Sequence, residues 1–85
     1  MVAKVKMIYV VYILYSESLD RYYVGQTNNL EKRIKTHNSC GKKYTSKGMP
    51  WKLINSYFCD TRSEALQLES KIKKRGIKRF LNDNQ

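Results

Sequence analysis

Met7–Tyr15, MIYVVYILY, is an unbroken run of β-branched, aromatic and aliphatic residues. Such residues suit a pleated, packed surface, so the run predicts a strand. Along it Ile8, Val10, Tyr12 and Leu14 share one face, and Tyr9, Val11, Ile13 and Tyr15 share the other. Tyr12 therefore places a hydroxyl on an otherwise aliphatic face. The polar segment Ser16–Arg21 reads as a turn, and Tyr22–Gln26 (YYVGQ) as a second, shorter strand. So short a link predicts an antiparallel hairpin. Tyr23 and Gly25 fall on one face of that strand, Tyr22 and Val24 on the other. A glycine inside a strand weakens it and suggests close approach by another group.

Past the hairpin, Asn28 to about Asn38 reads as a helix. Asn28 is the expected N-cap, with Glu31 three residues on to complete a capping box. Leu30, Ile34 and His37 follow helical spacing along one face. Lys42–Lys47 is a candidate helical turn before Gly48-Met49-Pro50. Trp51–Cys59 (WKLINSYFC) predicts a third strand. Thr61 and Glu64 form a capping-box signature for a helix reaching about Arg75, with Gly76 as its C′ residue. Ile77–Leu81 predicts a short last helix. The order β-β-α-(α)-β-α-(α) lacks βαβ alternation, so the expected fold is α+β: a small three-stranded antiparallel sheet flanked by helices.

At 85 residues the chain is expected to form one domain, with its core between about 7 and 82. A domain this small buries roughly 60–65% of the surface its unfolded chain exposes, so the core is thin. Seventeen Lys and Arg face seven Asp and Glu, a net charge of +10, which points to a polyanionic partner. The basic residues cluster. Lys32, Arg33, Lys35, Lys42, Lys43, Lys47 and Lys52 lie in one acid-free stretch, and Lys71, Lys73, Lys74, Arg75, Lys78 and Arg79 in another. Two such segments suit a phosphate backbone; they give affinity without reading bases. No apolar run approaches the ~18 residues needed to span a bilayer, and the N-terminal stretch lacks a signal-peptide cleavage pattern. Cys40 and Cys59 with one histidine do not complete a four-ligand zinc site unless a carboxylate joins them. A reduced, cytoplasmic protein without a membrane partner is the simplest reading.

Three residues invite chemistry. Glu69 lies four residues after Ala65 and three before Ile72, so its carboxylate falls in or beside the apolar stripe of its helix. A shielded carboxylate needs a cation or hydrogen-bond donors. A hard divalent ion satisfies that need, and so does a simple pair with Lys73, one turn on. Arg33 and His37 are also one turn apart. The first can fork two donors onto a phosphate, and the second can move a proton near neutral pH. Each has an ordinary alternative as a solvated face or a packed histidine.

Taken in order, these residues resemble the GIY-YIG nuclease family, in particular its small single-domain bacterial members. Val10-Val11-Tyr12 stands where the family has Gly-Ile-Tyr, and Tyr23-Val24-Gly25 where it has Tyr-Ile-Gly. Arg33, His37 and Glu69 follow on the elements where the family carries its arginine, its His or Tyr, and its metal-binding glutamate. Asn82 aligns loosely with a polar residue near the family's C-terminal end. The first glycine of the pattern is replaced by Val10. The resemblance implies a metal-dependent endonuclease with one divalent ion, Mg²⁺ or Mn²⁺, on Glu69, and with Tyr12, Tyr23, Arg33 and His37 as catalytic residues. Gly25 and Asn82 are further site candidates. The implied partner is nucleic acid, DNA rather than RNA, contacted by Lys32, Lys35, Lys42, Lys43, Lys47, Lys71, Lys73 and Lys74. A separate protein is a candidate for choosing the target. The alternative is a non-catalytic nucleic-acid-binding module on a degenerate form of the fold.

Overall fold

The structure, a computed structural model, describes residues 8–38 and 49–83. Its elements are β1 (Tyr9–Ser16), β2 (Arg21–Thr27), α1 (Leu30–His37), β3 (Trp51–Cys59), α2 (Arg62–Arg75) and α3 (Ile77–Asp83). The three strands form one antiparallel sheet in the order β2-β1-β3. This is the expected α+β architecture. The turn expected at 42–47 lies outside the described residues, as do Cys40, Lys42, Lys43 and Lys47.

β1 is the central strand, and it is buried on both faces. Val11 and Ile13 pack with Val24 of β2, Ala65 and Ile72 of α2 and Phe80 of α3. Tyr12 and Leu14 pack with Trp51 on the opposite side, where Leu30 and Ile34 of α1 cover them. A strand covered twice has no solvent face, and so its sequence reads as a continuous apolar run rather than an alternation. The hairpin turn carries Asp20 at φ 50, a conformation Asp tolerates better than most residues. There Tyr15 Oη donates to Asp20 Oδ1 at 2.7 Å.

One local expectation is corrected. The N-cap of α1 is Asn29, not Asn28: Asn29 Oδ1 accepts from the Lys32 amide at 3.1 Å, and Thr27 Oγ1 accepts from the Asn29 amide at 3.1 Å. The hydroxyl at the end of β2 orients the cap, and the shift of one residue removes Glu31 from the capping-box position. Glu31 instead lies 3.9 Å from Lys35 on the exposed face. The register of β1 with β3 also slips between Ile13 and Leu14, which face Asn55 and Leu53, so Ile54 is the extra residue of a bulge. The α2 boundaries stand as expected. Thr61 Oγ1 accepts from the Glu64 amide at 3.1 Å, and Gly76 ends the helix at φ 93, a region that favours glycine.

Candidate functional site around Tyr12

The site lies on the α1 face of the sheet. Tyr12 is 1% exposed, and its register partner across the hairpin is Gly25. A Cβ at Gly25 would stand 2.6 Å from Tyr12 Oη and 3.1 Å from the Tyr23 ring. The missing side chain therefore makes room for the tyrosine pair, the close approach that a glycine inside a strand suggests. The Tyr12 and Tyr23 rings stack with centroids 6.3 Å apart.

His37 closes the cluster from the last turn of α1. It is buried because Leu30 and Ile34 set that face of the helix against the sheet. Its Nε2 is 3.0 Å from Tyr12 Oη, and its ring meets Tyr23 edge-on at 4.7 Å. Trp51 packs against both rings. Asn38 fixes this corner: its Oδ1 accepts from the Trp51 amide at 2.7 Å, and its Nδ2 donates to the Trp51 carbonyl at 3.3 Å. Sequence reasoning missed Asn38 and Trp51 as supports. The only signal was position, an amide side chain directly after the helix and an indole opening a strand.

The electrostatics follow from this packing. Burial pushes the Tyr12 phenol well above its ordinary value; Tyr23 adds to the rise, Arg33 opposes it, and Glu69 raises it further. The charges of Arg33 and Glu69 thus both act on one hydroxyl, although Arg33 is exposed on α1 and Glu69 comes from α2. Burial, and then Arg33, lowers the His37 pKa from 6.5. Among the described residues, His37 Nδ1 is buried with no hydrogen-bond partner.

That shift has a consequence for stability. The unfolded chain protonates His37 at its ordinary value, and the folded chain only at lower pH. Between those values the unfolded state holds more protons, so stability present above about pH 6.5 declines as pH falls. The urea midpoint is expected to drop between pH 7 and pH 5, and His37→Gln to flatten the drop. An equal slope in the variant would assign the titration to other groups.

Glu69 has only 18% of its side chain exposed, and Oε2 lies 2.7 Å from Lys73 Nζ. The carboxylate raises the Lys73 pKa, with Tyr23 contributing in the same sense. The described residues contain no group of three or more His, Cys, Asp or Glu able to hold a metal. One shielded carboxylate suits Mg²⁺ or Mn²⁺, which take most ligands from water and phosphate. It does not make a zinc site.

The remaining candidates separate. Lys32 and Lys35 are exposed on α1. Lys71 and Lys74 line a groove of α2 with Ser63, Gln67 and Ser70. Asn82 lines a groove with Lys73, Lys78 and Arg79.

A three-stranded α+β sheet with this cluster defines the class. The chain belongs to the GIY-YIG family: the family model described as the GIY-YIG catalytic domain matches residues 8–81. More narrowly, it is similar to UPF0213 proteins. It is 49% identical over 65 residues to one from Clostridium perfringens, covering 75% of this chain and 69% of that one. It is 39% identical over 67 residues to one from Bacillus licheniformis, covering 74% and 69%. The solution NMR structure of a UPF0213 protein from Bacillus halodurans is similar at a TM-score of 0.56 and 30% identity, over 89% of this chain and 81% of that chain. Among the described residues no helix is long and apolar enough to cross a membrane.

Proposed function

We propose that the chain is a nuclease that hydrolyses a nucleic-acid phosphodiester bond with one divalent ion, Mg²⁺ or Mn²⁺, on Glu69. The observation that carries this reading is the buried Tyr12 hydroxyl, 3.0 Å from His37 Nε2 and acted on by the charges of Arg33 and Glu69. An apolar core has no use for a hydroxyl so placed, whereas phosphoryl chemistry does. DNA is the expected substrate, in keeping with the family's roles in repair, homing and restriction.

The residues divide the work by their chemistry. A neutral phenol is a poor base at pH 7, and burial makes ionising Tyr12 harder still. A relay avoids the free phenolate. In the tautomer with the ring proton on Nδ1, Tyr12 donates to His37 Nε2. As a water attacks phosphorus, its proton passes to Tyr12 Oη while the Tyr12 proton passes to Nε2. Tyr23 borders the same space and helps position the water. Arg33 offsets charge growing on the phosphate oxygens. A divalent ion held by Glu69 would supply Lewis-acid stabilisation of the charge that develops on the phosphate. Lys32 and Lys35 on α1 hold the neighbouring backbone by charge.

Purified chain incubated with plasmid, single-stranded and branched DNA is expected to cut only with Mg²⁺ or Mn²⁺ and to stop with chelator. Glu69→Ala and Arg33→Ala are each expected to lower the rate by at least 10²-fold, the scale for losing one preorganised electrostatic contact. Cutting that persists in both variants would falsify the assignment. The Glu69–Lys73 ion pair favours a second reading, a binding module with no metal. It predicts salt-sensitive DNA binding indifferent to Glu69→Ala, with no cleavage under any ion.

A further inference from the structure

Glu69 already has a cation. In the ion pairs between described residues, the side-chain exposures of the acids separate one from the rest: 85% for Glu31, 71% for Glu17, 48% for Asp83 and 18% for Glu69. The first two are exposed surface pairs of the kind that contribute little, and Asp83 is half exposed. Glu69 is shielded, and a shielded carboxylate without a partner is costly. Lys73, one turn on, meets that need at 2.7 Å.

The lysine is not shielded to match. Its side chain is 59% exposed, so its ammonium can leave the carboxylate by rotation about its own flexible stem without entering an apolar space. Lys73 also lines a groove of about 510 Å³ at the α2–α3 junction with Lys74, Gly76, Lys78, Arg79 and Asn82, and no acid lines that groove. Arg75, which also lines it, is held by two hydrogen bonds to Asp83. Lys73 thus stands between one acid and a cationic groove.

We propose that Lys73 is an internal counter-cation that holds the Glu69 carboxylate until a divalent ion takes its place, whereupon its ammonium joins the groove at the α2–α3 junction. This deepens the nuclease reading and rests on Glu69 as the ion's ligand. It makes metal loading the event that adds a positive charge to a phosphate-binding surface. It also requires the ion to displace a competitor tethered to the same helix.

Mn²⁺ titrated into the full chain at pH 7.5 and fixed ionic strength, with free ion followed by electron paramagnetic resonance, tests this. Lys73→Met is expected to bind Mn²⁺ about two- to fivefold more tightly than wild type, the range a helical ion pair of this kind supports. Lys73→Arg keeps a competing cation and stays near wild type. Lys71→Met removes the same charge from α2 outside that groove and also stays near wild type. With Mg²⁺, the Lys73 side-chain NMR signals are expected to shift in step with saturation. Far-UV circular dichroism checks that each variant is folded. Equal affinity of Lys73→Met and wild type, with binding still lost in Glu69→Gln, would overturn the counter-cation while leaving the metal reading intact. A matching gain in Lys71→Met would overturn it too, since net charge alone would then account for the effect. Binding untouched by Glu69→Gln would overturn both readings.

Discussion

Ile13→Ala is expected to destabilise the domain by about 2–5 kcal/mol, read as a lower urea midpoint with an unchanged m value. Ile13 is 0% exposed. It lies in the central strand against Val24, Ala65, Ile72 and Phe80. Truncation removes its transfer energy and leaves a cavity that neighbours from three elements do not readily fill. The total at stake is small: natural domains keep about 0.05–0.15 kcal/mol per residue, on the order of 4–13 kcal/mol for a chain of 85 residues. One buried side chain is therefore a large share of the whole, and the variant is expected to be partly unfolded at 37 °C. Phe58→Ala is the matching control. Phe58 sits on β3 but is 74% exposed, so its loss is expected to move the midpoint by no more than about 0.5 kcal/mol. Similar effects in the two variants would contradict the core described here.

Gly25→Ala is the second large effect, and it acts by adding an atom. The new Cβ would stand 2.6 Å from Tyr12 Oη and 2.9 Å from its Cζ. A flexible surface side chain would swing aside at little cost. Tyr12 is packed at 1% exposure among Leu14, Trp51 and Tyr23 and is bonded to His37. The strand or the ring must shift, at about 1–3 kcal/mol. The Tyr12–His37 hydrogen bond is the contact closest to the intrusion, so its geometry is expected to fail first. In proton NMR the His37 ring signals should move, and the His37 pKa should rise toward its ordinary value as the site loosens. Gly25→Ala with wild-type stability and unmoved His37 signals would mean the tyrosine relocates freely, and the glycine would lose its role. The same variant is expected to lose nuclease activity in step with that hydrogen bond, even though it removes no candidate catalytic group.

Much of this was legible before the fold. The apolar run at 7–15 reads as a strand, and the structure makes it, as Tyr9–Ser16, the central one, buried on both faces. Thr61 and Gly76 mark the ends of α2 through side-chain and backbone chemistry that acts within a few residues. Gly25 signals a close approach. Helical spacing puts Glu69 at the edge of its stripe and His37 on the face that turns inward. Two features were beyond local reading. The exchange of Asn28 for Asn29 as N-cap depends on how Thr27 ends β2. The bulge at Ile54 depends on pairing with β1.

The sequence by itself determined the element types, the hairpin and the identity of the candidate groups, because each follows from contacts between residues near in the chain. Only the tertiary structure decided which of those groups meet. It set Tyr12 against His37, 25 residues later, and brought the fields of Arg33 and Glu69 onto one hydroxyl. The reason is physical: periodicity says which face of an element is apolar, but the order of the strands and the side on which each helix packs decide what that face encounters.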